Sequence, residues 1–250
     1  MKCVILAGGL GTRLTEETKV KPKPMVKIGK YPILWHIIKI YKAHGINEFI
    51  ICTGYKHHII NKYFKKFFVQ KKKNCCEYFD KKNNIKIYCV YTGKNSNTAG
   101  RILKIKKFLL SDEKFYLTYG DGVSDINISK TLELFDTKKY VGLISSVKPP
   151  ARYGVLVIKK NNLVSKFKEK IDNNLVWING GFFIFNNKIF NFIKNYSTSL
   201  EYDVLPKLIK NKKLIAYKHK GSWGCMDNLR DKINLNNLWK KENAFWKIWK

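Results

Sequence analysis

The chain has 250 residues, a length that suffices to bury one sizeable hydrophobic core. No apolar run approaches the roughly 20 residues of a membrane-spanning helix, and the start of the chain is unlike a secretion signal because glycines and Arg13 interrupt it. Six cysteines without a Cys-x-x-Cys pair argue against a disulfide framework and a structural zinc site, and they predict reduced thiols in the cytoplasm.

The charge balance is strongly basic, with 49 Lys and Arg against 18 Asp and Glu and a formal net charge of +31. Such an excess can mark a protein that binds nucleic acid. The lysines are spread along the whole chain, however, and few of the cations are arginine, whose planar fork reads bases. We therefore expect weak adhesion to RNA at low salt and no specific nucleic-acid partner. The arginines are candidates for roles that need the fork: Arg13, Arg101, Arg152 and Arg230.

The first half of the chain alternates strand and helix patterns. Residues 2–6 form an apolar run that predicts a buried strand, and Pro32 and Gly45 bracket a stretch with helical spacing of apolar residues. The predicted strands are 2–6, 48–53, 85–92 and 115–119, and the predicted helices are 32–44 and 59–68. The polar residues 71–84 predict an irregular surface segment. The alternation predicts an α/β fold with a Rossmann-like mixed, mostly parallel sheet flanked by helices.

From about residue 140 the pattern contains more strand and less helix. The predicted strands are 141–147, 153–159, 163–168 and 180–185, and the predicted helices are 188–195, 202–210 and 228–248. The last helix has an aromatic face that suits either the core or an interface. Because no linker or repeat divides the chain, we predict one domain over 1–250, with an N-terminal half of about 1–140 and a C-terminal half of about 141–250.

The glycine-rich turn after the first strand carries the clearest chemical signal. Gly8, Gly9 and Gly11 allow a tight turn that brings bare N–H groups up to an anion. Arg13, Lys21 and Lys23 add positive charge close by. A Walker A loop does not fit, and a dinucleotide fingerprint lacks its third glycine and the acidic residue after the second strand. The turn therefore predicts a phosphate site of another kind.

Two aspartates are candidates for the same site. Asp121 lies between two glycines at the end of a predicted central strand, the sheet edge where α/β proteins bind ligands. An isolated aspartate in a turn is ordinarily a turn residue, but the glycine-rich turn is expected at the same edge. Asp227 is either a second site carboxylate or the N-cap of the last helix.

The motif Gly-Gly-x-Gly-Thr-Arg-Leu at 8–14, followed by Pro22-Lys23, resembles the signature of the sugar-1-phosphate nucleotidylyltransferases. The resemblance runs nearly end to end and implies the nucleotide-diphospho-sugar transferase fold. It implies Arg13, Lys23 and Asp121 as catalytic residues and Mg²⁺ on Asp121 and Asp227. The nucleotide contacts that it implies are Leu6, Ala7, Gly8, Gly9, Gly11, Thr12, Thr98, Arg101 and Gly120, with Arg101 a candidate for the base edge. The sugar-phosphate contacts that it implies are Glu169, Lys170, Asn179 and Gly180.

Several segments are similar to family members that use CTP and α-D-glucose 1-phosphate, among them 20–25, 118–123 and 226–232. The resemblance implies attack by the sugar phosphate on the α-phosphorus of CTP, giving CDP-glucose and pyrophosphate in an assembly of identical subunits. Two departures are Ile171, where the family has proline, and a shortened, lysine-rich 70–90 region. The alternatives are a family member that uses UTP or dTTP, and a basic nucleic-acid-binding protein on the same scaffold.

Overall fold

The computed structural model describes residues 1–149, 155–158, 163–168 and 176–249. The strands are β1 (Cys3–Ala7), β2 (Lys27–Ile28), β3 (Tyr31–Pro32), β4 (Glu48–Thr53), β5 (Phe68–Lys72), β6 (Cys75–Asp80), β7 (Ile85–Tyr91), β8 (Lys114–Tyr119), β9 (Gly122–Ser124), β10 (Gly142–Val147), β11 (Val155–Ile158), β12 (Val164–Lys168), β13 (Ile178–Asn186), β14 (Leu214–Lys218) and β15 (Trp223–Cys225). The α-helices are α1 (Thr15–Thr18), α2 (Ile33–Ala43), α3 (His57–Phe64), α4 (Thr98–Lys104), α5 (Ile128–Leu134), α6 (Leu205–Lys210) and α7 (Leu229–Lys240).

One nine-stranded sheet organises the molecule, in the order β14-β10-β13-β8-β1-β4-β7-β6-β5. The central strands β8, β1, β4 and β7 are parallel neighbours, whereas β13 and β6 run antiparallel to their partners. This confirms the predicted mixed, mostly parallel sheet. Because the central strands are parallel, their carboxyl ends meet at one edge of the sheet, where ligands bind in such folds.

Alternate residues of β1 divide the interior into two cores. Cys3 and Ile5 belong to the core that includes α2, α3, α5 and α7, whereas Val4 and Leu6 belong to the core that includes α4 and α6. All the residues of β1 are buried, so both faces of the sheet are covered by helices. This explains why β1 reads as a continuous apolar run rather than as an alternating one. None of the helices in the described parts of the chain is long and apolar enough to cross a membrane.

The predicted irregular structure at 71–84 is wrong for 71–72 and 75–80, which belong to a hairpin of β5 and β6 that extends the sheet beyond β7. Residues 81–84 form the turn before β7. The predicted helix at 59–68 ends at Phe64, and the 3₁₀ turn Lys65–Phe67 leads from it into β5. Tyr78 of β6 is buried and packs against Phe64, which anchors the hairpin. Every residue of β5 is exposed, and an edge strand rich in lysine has little apolar alternation to reveal it.

The helices of the C-terminal half differ in type or length from those predicted. The predicted helix at 188–195 is a 3₁₀ helix, Asn187–Phe192, and the one at 202–210 is a π-helical turn, Leu200–Val204, that leads into α6. The tail helix ends at Lys240, and the chain beyond it returns to the core through Trp246, which is fully buried. The tryptophans of the tail pack within the chain, around the imidazole of His36.

His36 is held as a neutral imidazole inside this aromatic cluster. Its Nε2 lies 3.1 Å from the Ile28 carbonyl, and its Nδ1 accepts a hydrogen bond of 3.2 Å from the indole nitrogen of Trp246. A proton on Nδ1 would point at the Trp246 N–H, so this arrangement requires the neutral form with hydrogen on Nε2. Burial lowers the pKa of His36 from 6.5 to about 4, partly opposed by the bond to the Ile28 carbonyl.

We expect His36 to make the fold acid-sensitive. Its pKa is lower in the folded chain than in the unfolded chain, so its contribution is complete above pH 6.5 and is lost as pH falls toward about 4. The loss between about pH 8 and pH 4.5 is roughly 2–3 kcal/mol of unfolding free energy. Urea unfolding of wild type and His36→Gln at both pH values measures it, with the exposed His58→Gln as the control. Equal pH dependence in all three proteins would contradict this account.

Candidate active site

A pocket of about 440 Å³ opens at the carboxyl edge of β1, β4 and β8. Leu6 and Ala7 end β1 beneath it, and Tyr119 ends β8. The residues that line it are Leu6, Ala7, Gly8, Gly9, Gly11, Thr12, Arg13, Lys23, Pro24, Ser96, Asn97, Thr98, Arg101, Tyr119, Gly120 and Asp121. The structure therefore brings together in one cavity every residue that the sequence assigned to nucleotide contact or catalysis.

The glycine loop, residues 8–13, forms one wall of the pocket. The Gly8 carbonyl accepts hydrogen bonds from the backbone N–H of Tyr55 and from Arg101, at 3.2 and 2.9 Å. Gly11 has φ +68°, and a Cβ there would lie 2.8 Å from Thr18 Cγ2, so the turn requires glycine at this position. Gly9 lies in open space with no atom within 4 Å of its Cβ position, and Leu10 beside it is exposed. The loop is thus fixed at its two ends and accessible between them.

Arg101 holds the base of this loop. Its guanidinium donates at 2.8 Å to Thr92 Oγ1, at 2.8 Å to the Gly93 carbonyl and at 2.9 Å to the Gly8 carbonyl. The residue is only 5% exposed, and this burial lowers the pKa of Arg101 while the guanidinium stays charged. The fork is occupied by the protein's own oxygens, so in the ligand-free chain Arg101 fixes the loop rather than presenting donors to a base. Its predicted contact with the base edge remains a prediction.

Gly8→Ala and Gly9→Ala are expected to separate the fixed end of the loop from its open middle. A Cβ on Gly8 would lie 2.1 Å from Arg101 Nη1, so the guanidinium must move and leave carbonyls unpaired. We expect Gly8→Ala to reduce unfolding free energy by at least about 2 kcal/mol. We expect Gly9→Ala to change it by less than about 0.5 kcal/mol. Urea unfolding of both variants tests this, and equal losses would refute the role assigned to Arg101.

Four charged side chains meet at the mouth of the pocket, and we call them the Lys23 cluster. The Lys23 ammonium lies 2.8 Å from Asp121 Oδ2 and 2.8 Å from Asp227 Oδ1. Arg13 Nη1 lies 2.7 Å from the other oxygen of Asp227. Lys21 takes no part, because its ammonium pairs with Glu17 at 2.7 Å. The cluster joins residues from the glycine loop, from the turn after β8 and from the segment before α7.

The local sequence explains how Lys23 reaches this position. Pro22 and Pro24 flank it and open the 3₁₀ turn Lys23–Met25, whose rigid backbone aims the side chain inward. Lys23 is 8% exposed, which is rare for a lysine without charged partners. Burial by itself would lower the pKa of Lys23, but the Asp121 and Asp227 carboxylates outweigh it, and the pKa lies above its ordinary value. The ammonium is therefore a permanent positive charge beside the glycine loop.

Asp227 is free to join the cluster because another residue caps α7. Asn228 accepts from the backbone N–H of Asp231, and Asp231 accepts from that of Asn228 in return, which is a complete capping box. Capping by Asp227 was one of the two alternatives, and the structure excludes it. Asp227 is held instead by its ion pairs with Lys23 and Arg13.

The two carboxylates fit a magnesium site in their chemistry. Mg²⁺ is commonly held in proteins by one or two carboxylates together with substrate phosphates, and Asp121 lines the pocket. Asp121 and Asp227 already share one cation, the Lys23 ammonium. Within the described ranges no group of three or more His, Cys, Asp and Glu side chains could hold a metal by itself. A metal here would take its remaining oxygens from water or from a bound ligand.

The predicted sugar-phosphate residues are only partly described. Glu169, Lys170 and Ile171 lie outside the described residues, as does Arg152. Asn179 is exposed at the start of β13, and its amide nitrogen lies 3.3 Å from the hydroxyl of Tyr119 in the pocket. Asn179 Oδ1 also accepts from the Gly181 N–H at 2.8 Å, which fixes the amide.

Gly180 has a structural reason to be glycine. A Cβ there would lie 2.8 Å from Val147 Cγ1 and 3.0 Å from the Ser145 carbonyl, so β13 passes close to β10 at this point. Its own carbonyl accepts from the indole nitrogen of Trp223 at 2.8 Å. The backbone that carries Asn179 is therefore rigid, as a binding residue requires.

The sequence analysis assigned no site role to Ser96, Asn97 and Tyr119, which line the pocket. It also assigned none to Glu201, which accepts hydrogen bonds from Tyr119 and Thr98, although 201–206 resembles a weaker segment of the family. Tyr119 is the last residue of a predicted strand next to Asp121, so its position at the sheet edge was an available signal. Glu201 comes from a π-helical turn far along the chain, and no local pattern places it beside β8.

Comparison with known proteins shows the family to which the chain belongs. The sequence pattern of the family described as nucleotidyl transferase matches residues 2–241. This chain is a member of that family. Among curated nucleotidyl transferases, it is 43% identical to the glucose-1-phosphate cytidylyltransferase of Salmonella typhimurium, with both chains covered completely. It is 36% identical to the probable glucose-1-phosphate cytidylyltransferase of Bacillus subtilis, again over the full length of both chains.

Solved structures share the fold of this chain. HddC from Yersinia pseudotuberculosis has a TM-score of 0.70 and 26% identity, covering 95% of this chain and 99% of that one. A putative glucose-1-phosphate thymidylyltransferase from Bacillus anthracis has a TM-score of 0.72 over 100% of this chain and 98% of that one, at 21% identity. The nucleotidyl transferase fold expected from the motifs is thereby confirmed.

Proposed function

We propose that this protein joins CTP and α-D-glucose 1-phosphate to give CDP-glucose and pyrophosphate. The observation that carries the reaction type is the Lys23 cluster at the mouth of the glycine-loop pocket, because it sets fixed positive charge beside a phosphate-binding turn. The choice of CTP and glucose 1-phosphate rests on the full-length relatives of Salmonella typhimurium and Bacillus subtilis, which bear the name of that activity.

The chemistry asks the protein mainly for positioning and charge. A phosphate oxygen of the sugar phosphate attacks the α-phosphorus of CTP in line with the departing pyrophosphate. Both substrates are polyanions, so holding them together against repulsion supplies much of the acceleration. The N–H groups of the glycine loop bind the triphosphate, and Lys23 and Arg13 stabilise the negative charge that develops on the leaving group. Arg13 suits a mobile role, since its side chain is 77% exposed and is held by an ion pair with Asp227.

Members of this family generally use a divalent metal, and we propose Mg²⁺ here. Asp121 and Asp227 would hold it. Bound there, Mg²⁺ would neutralise charge on the phosphate oxygens of the nucleotide. The Lys23 ammonium would compete with the metal for these two carboxylates, and a weakened contact would leave it available to the triphosphate.

The remaining assignments follow the same division of the pocket. We propose that Leu6, Ala7, Thr12, Thr98, Arg101 and Gly120 complete the nucleotide side. We propose that Asn179 and Gly180 contact glucose, together with Glu169 and Lys170. The chain would then act as one domain, with its N-terminal half on the nucleotide and its C-terminal half on the sugar. We further propose that it works as a cytoplasmic homo-oligomer without a specific nucleic-acid partner.

Pyrophosphate release from the purified protein tests the proposed function. The assay contains Mg²⁺ and glucose 1-phosphate and offers CTP, UTP, dTTP and ATP in separate reactions. We expect release with CTP and little with the others. Release with UTP or dTTP alone would keep the reaction type and overturn the base preference. No release with any of them from folded protein would overturn the proposal, and salt-resistant, sequence-selective RNA binding would then favour the nucleic-acid alternative.

A further inference from the structure

Glu201 connects two lining residues of the pocket, Tyr119 and Thr98, without being a lining residue itself. Its Oε1 accepts from the hydroxyl of Tyr119 at 2.6 Å, and its Oε2 accepts from the hydroxyl of Thr98 at 2.6 Å. Ser199 Oγ donates to the same Oε2 at 2.9 Å. We call these residues the Glu201 network. Distances this short are typical of hydroxyl groups that donate to an ionised carboxylate.

The network fixes where the two hydroxyl protons are. An ionised carboxylate can only accept hydrogen bonds, so the hydroxyl groups of Tyr119 and Thr98 must each donate their one hydrogen to Glu201. The Thr98 hydroxyl also accepts from the Leu200 N–H at 2.7 Å, and that of Tyr119 accepts from Asn179 at 3.3 Å. Each oxygen keeps one free lone pair.

We propose that Glu201 is a positioning residue that makes the Tyr119 and Thr98 hydroxyls act only as hydrogen-bond acceptors toward the substrate. Both residues line the pocket, and in this proposal their free lone pairs face a bound molecule. They select for donors, namely sugar hydroxyls or an amino group, and against groups that can only accept. Because Tyr119 lies beside Asn179, we assign its free lone pair to a hydroxyl of glucose. This assignment of the donor rests on the proposed function.

The backbone around Tyr119 keeps the acceptor in place. A Cβ on Gly181 would lie 2.7 Å from Tyr119 Cδ2, so the ring packs directly on the backbone of β13. Phe183 packs against the other part of the ring in an edge arrangement with a centroid distance of 5.6 Å. Because the ring is fixed, only the O–H bond of Tyr119 can still rotate, and the hydrogen bond to Glu201 fixes its direction.

Glu201→Gln reverses the proton of Tyr119 without removing any side chain. The amide oxygen is expected to stay with Thr98 and Ser199, which both donate to Oε2, and the amide nitrogen is then placed against Tyr119. Tyr119 would accept from that nitrogen and from Asn179, and its own proton would turn into the pocket. The position would change from an acceptor to a donor.

Deoxyfluoro analogues of glucose 1-phosphate detect this change, because fluorine cannot donate. We compare steady-state kinetics of glucose 1-phosphate and its 2-, 3-, 4- and 6-deoxyfluoro analogues on wild type, Glu201→Gln and Asp203→Asn. Asp203 is the matched control, a carboxylate in the same π-helical turn that accepts from the Ser199 N–H. At one of the four positions, we expect replacement of the hydroxyl by fluorine to lower kcat/KM of wild type and of the control at least about tenfold, mainly by raising KM. We expect Glu201→Gln to lose less than about threefold at that position.

The outcomes separate this inference from the proposed function. Equal discrimination in wild type and Glu201→Gln, or equal effects of Glu201→Gln and Asp203→Asn, would overturn the inference. The ligand-free proteins provide a readout that needs no substrate: the hydroxyl proton of Tyr119 in the NMR spectrum, assigned by its absence in Tyr119→Phe. We expect a slowly exchanging, downfield resonance in wild type that is lost or moves upfield in Glu201→Gln. An unchanged resonance would overturn the inference, whereas the expected change without turnover of any sugar phosphate would overturn only the proposed function.

Discussion

Asp121→Asn is expected to reduce turnover by at least about 100-fold at saturating substrates and Mg²⁺. The substitution keeps the shape of the side chain and removes the negative charge that pairs with Lys23 at 2.8 Å. It would therefore weaken the hold on a metal and on the buried ammonium together, and loss of one such electrostatic group typically lowers kcat by 10²–10³. Pyrophosphate release under single-turnover conditions measures the effect on the chemical step.

The control for Asp121→Asn is Asp136→Asn. The Asp136 carboxylate is exposed and accepts a hydrogen bond from the backbone N–H of Lys138. We expect this variant to retain wild-type turnover. Unchanged turnover of Asp121→Asn at saturating Mg²⁺ would refute both the metal assignment and the catalytic role of the Lys23 cluster. Circular dichroism of each variant establishes that the protein is folded before its rates are compared.

Lys23→Met is expected to lower turnover by at least about 100-fold and, at the same time, to strengthen metal binding in the absence of nucleotide. Turnover falls because the leaving group loses a buried positive charge. Metal binding strengthens because the Lys23 ammonium occupies one oxygen of each aspartate in the ligand-free protein. A divalent cation has to displace that ammonium, and methionine presents no competing charge. Titration with Mn²⁺, followed by electron paramagnetic resonance, measures the affinity without turnover.

Lys21→Met is the matched control. It removes one positive charge two residues away from Lys23, and Lys21 pairs with Glu17 rather than with the aspartates. We expect wild-type Mn²⁺ affinity and turnover from it. An Mn²⁺ affinity of Lys23→Met equal to or weaker than that of wild type would contradict competition between the ammonium and a metal. Turnover within about threefold of wild type would contradict the role of Lys23 in stabilising the leaving group.

The central sheet and the glycine loop could be predicted from the sequence because their determinants are local. Residues 3–7 are apolar throughout, since both faces of β1 are covered, and the glycines follow at the strand end. Pro32 and Gly45 bound α2, as predicted for 32–44. In such segments the chain's own conformational preferences agree with its final environment, so a short window of sequence suffices.

The edge hairpin of β5 and β6 could not be predicted in the same way. Its stability comes from pairing with β7 and from the contact between Tyr78 and Phe64, which are separated along the chain. The lysines at 71–73 are what an exposed edge strand tolerates, and they are equally typical of a surface loop. Tertiary pairing, rather than local pattern, decides between these alternatives.

The site shows the same division between residue types and their partners. The sequence marks Arg101 as an arginine that can use its planar guanidinium and Lys23 as a cation near phosphate. It does not show that Arg101 donates to Gly8 or that Lys23 pairs with two aspartates. These partners come from other strands and loops, and only the topology brings them together. The capping box of Asn228 and Asp231 is the exception, since its three-residue spacing is visible in the sequence and already frees Asp227.

The fate of the α-phosphorus is the direct test of nucleotidyl transfer at the Lys23 cluster. Wild-type protein is incubated with Mg²⁺, glucose 1-phosphate and CTP labelled with ³²P at either the α or the γ position. We expect the α label in a nucleotide sugar and the γ label in pyrophosphate, and we expect both transfers to need glucose 1-phosphate. Label from the γ position in a sugar product, or pyrophosphate formed without glucose 1-phosphate, would contradict nucleotidyl transfer at the Lys23 cluster.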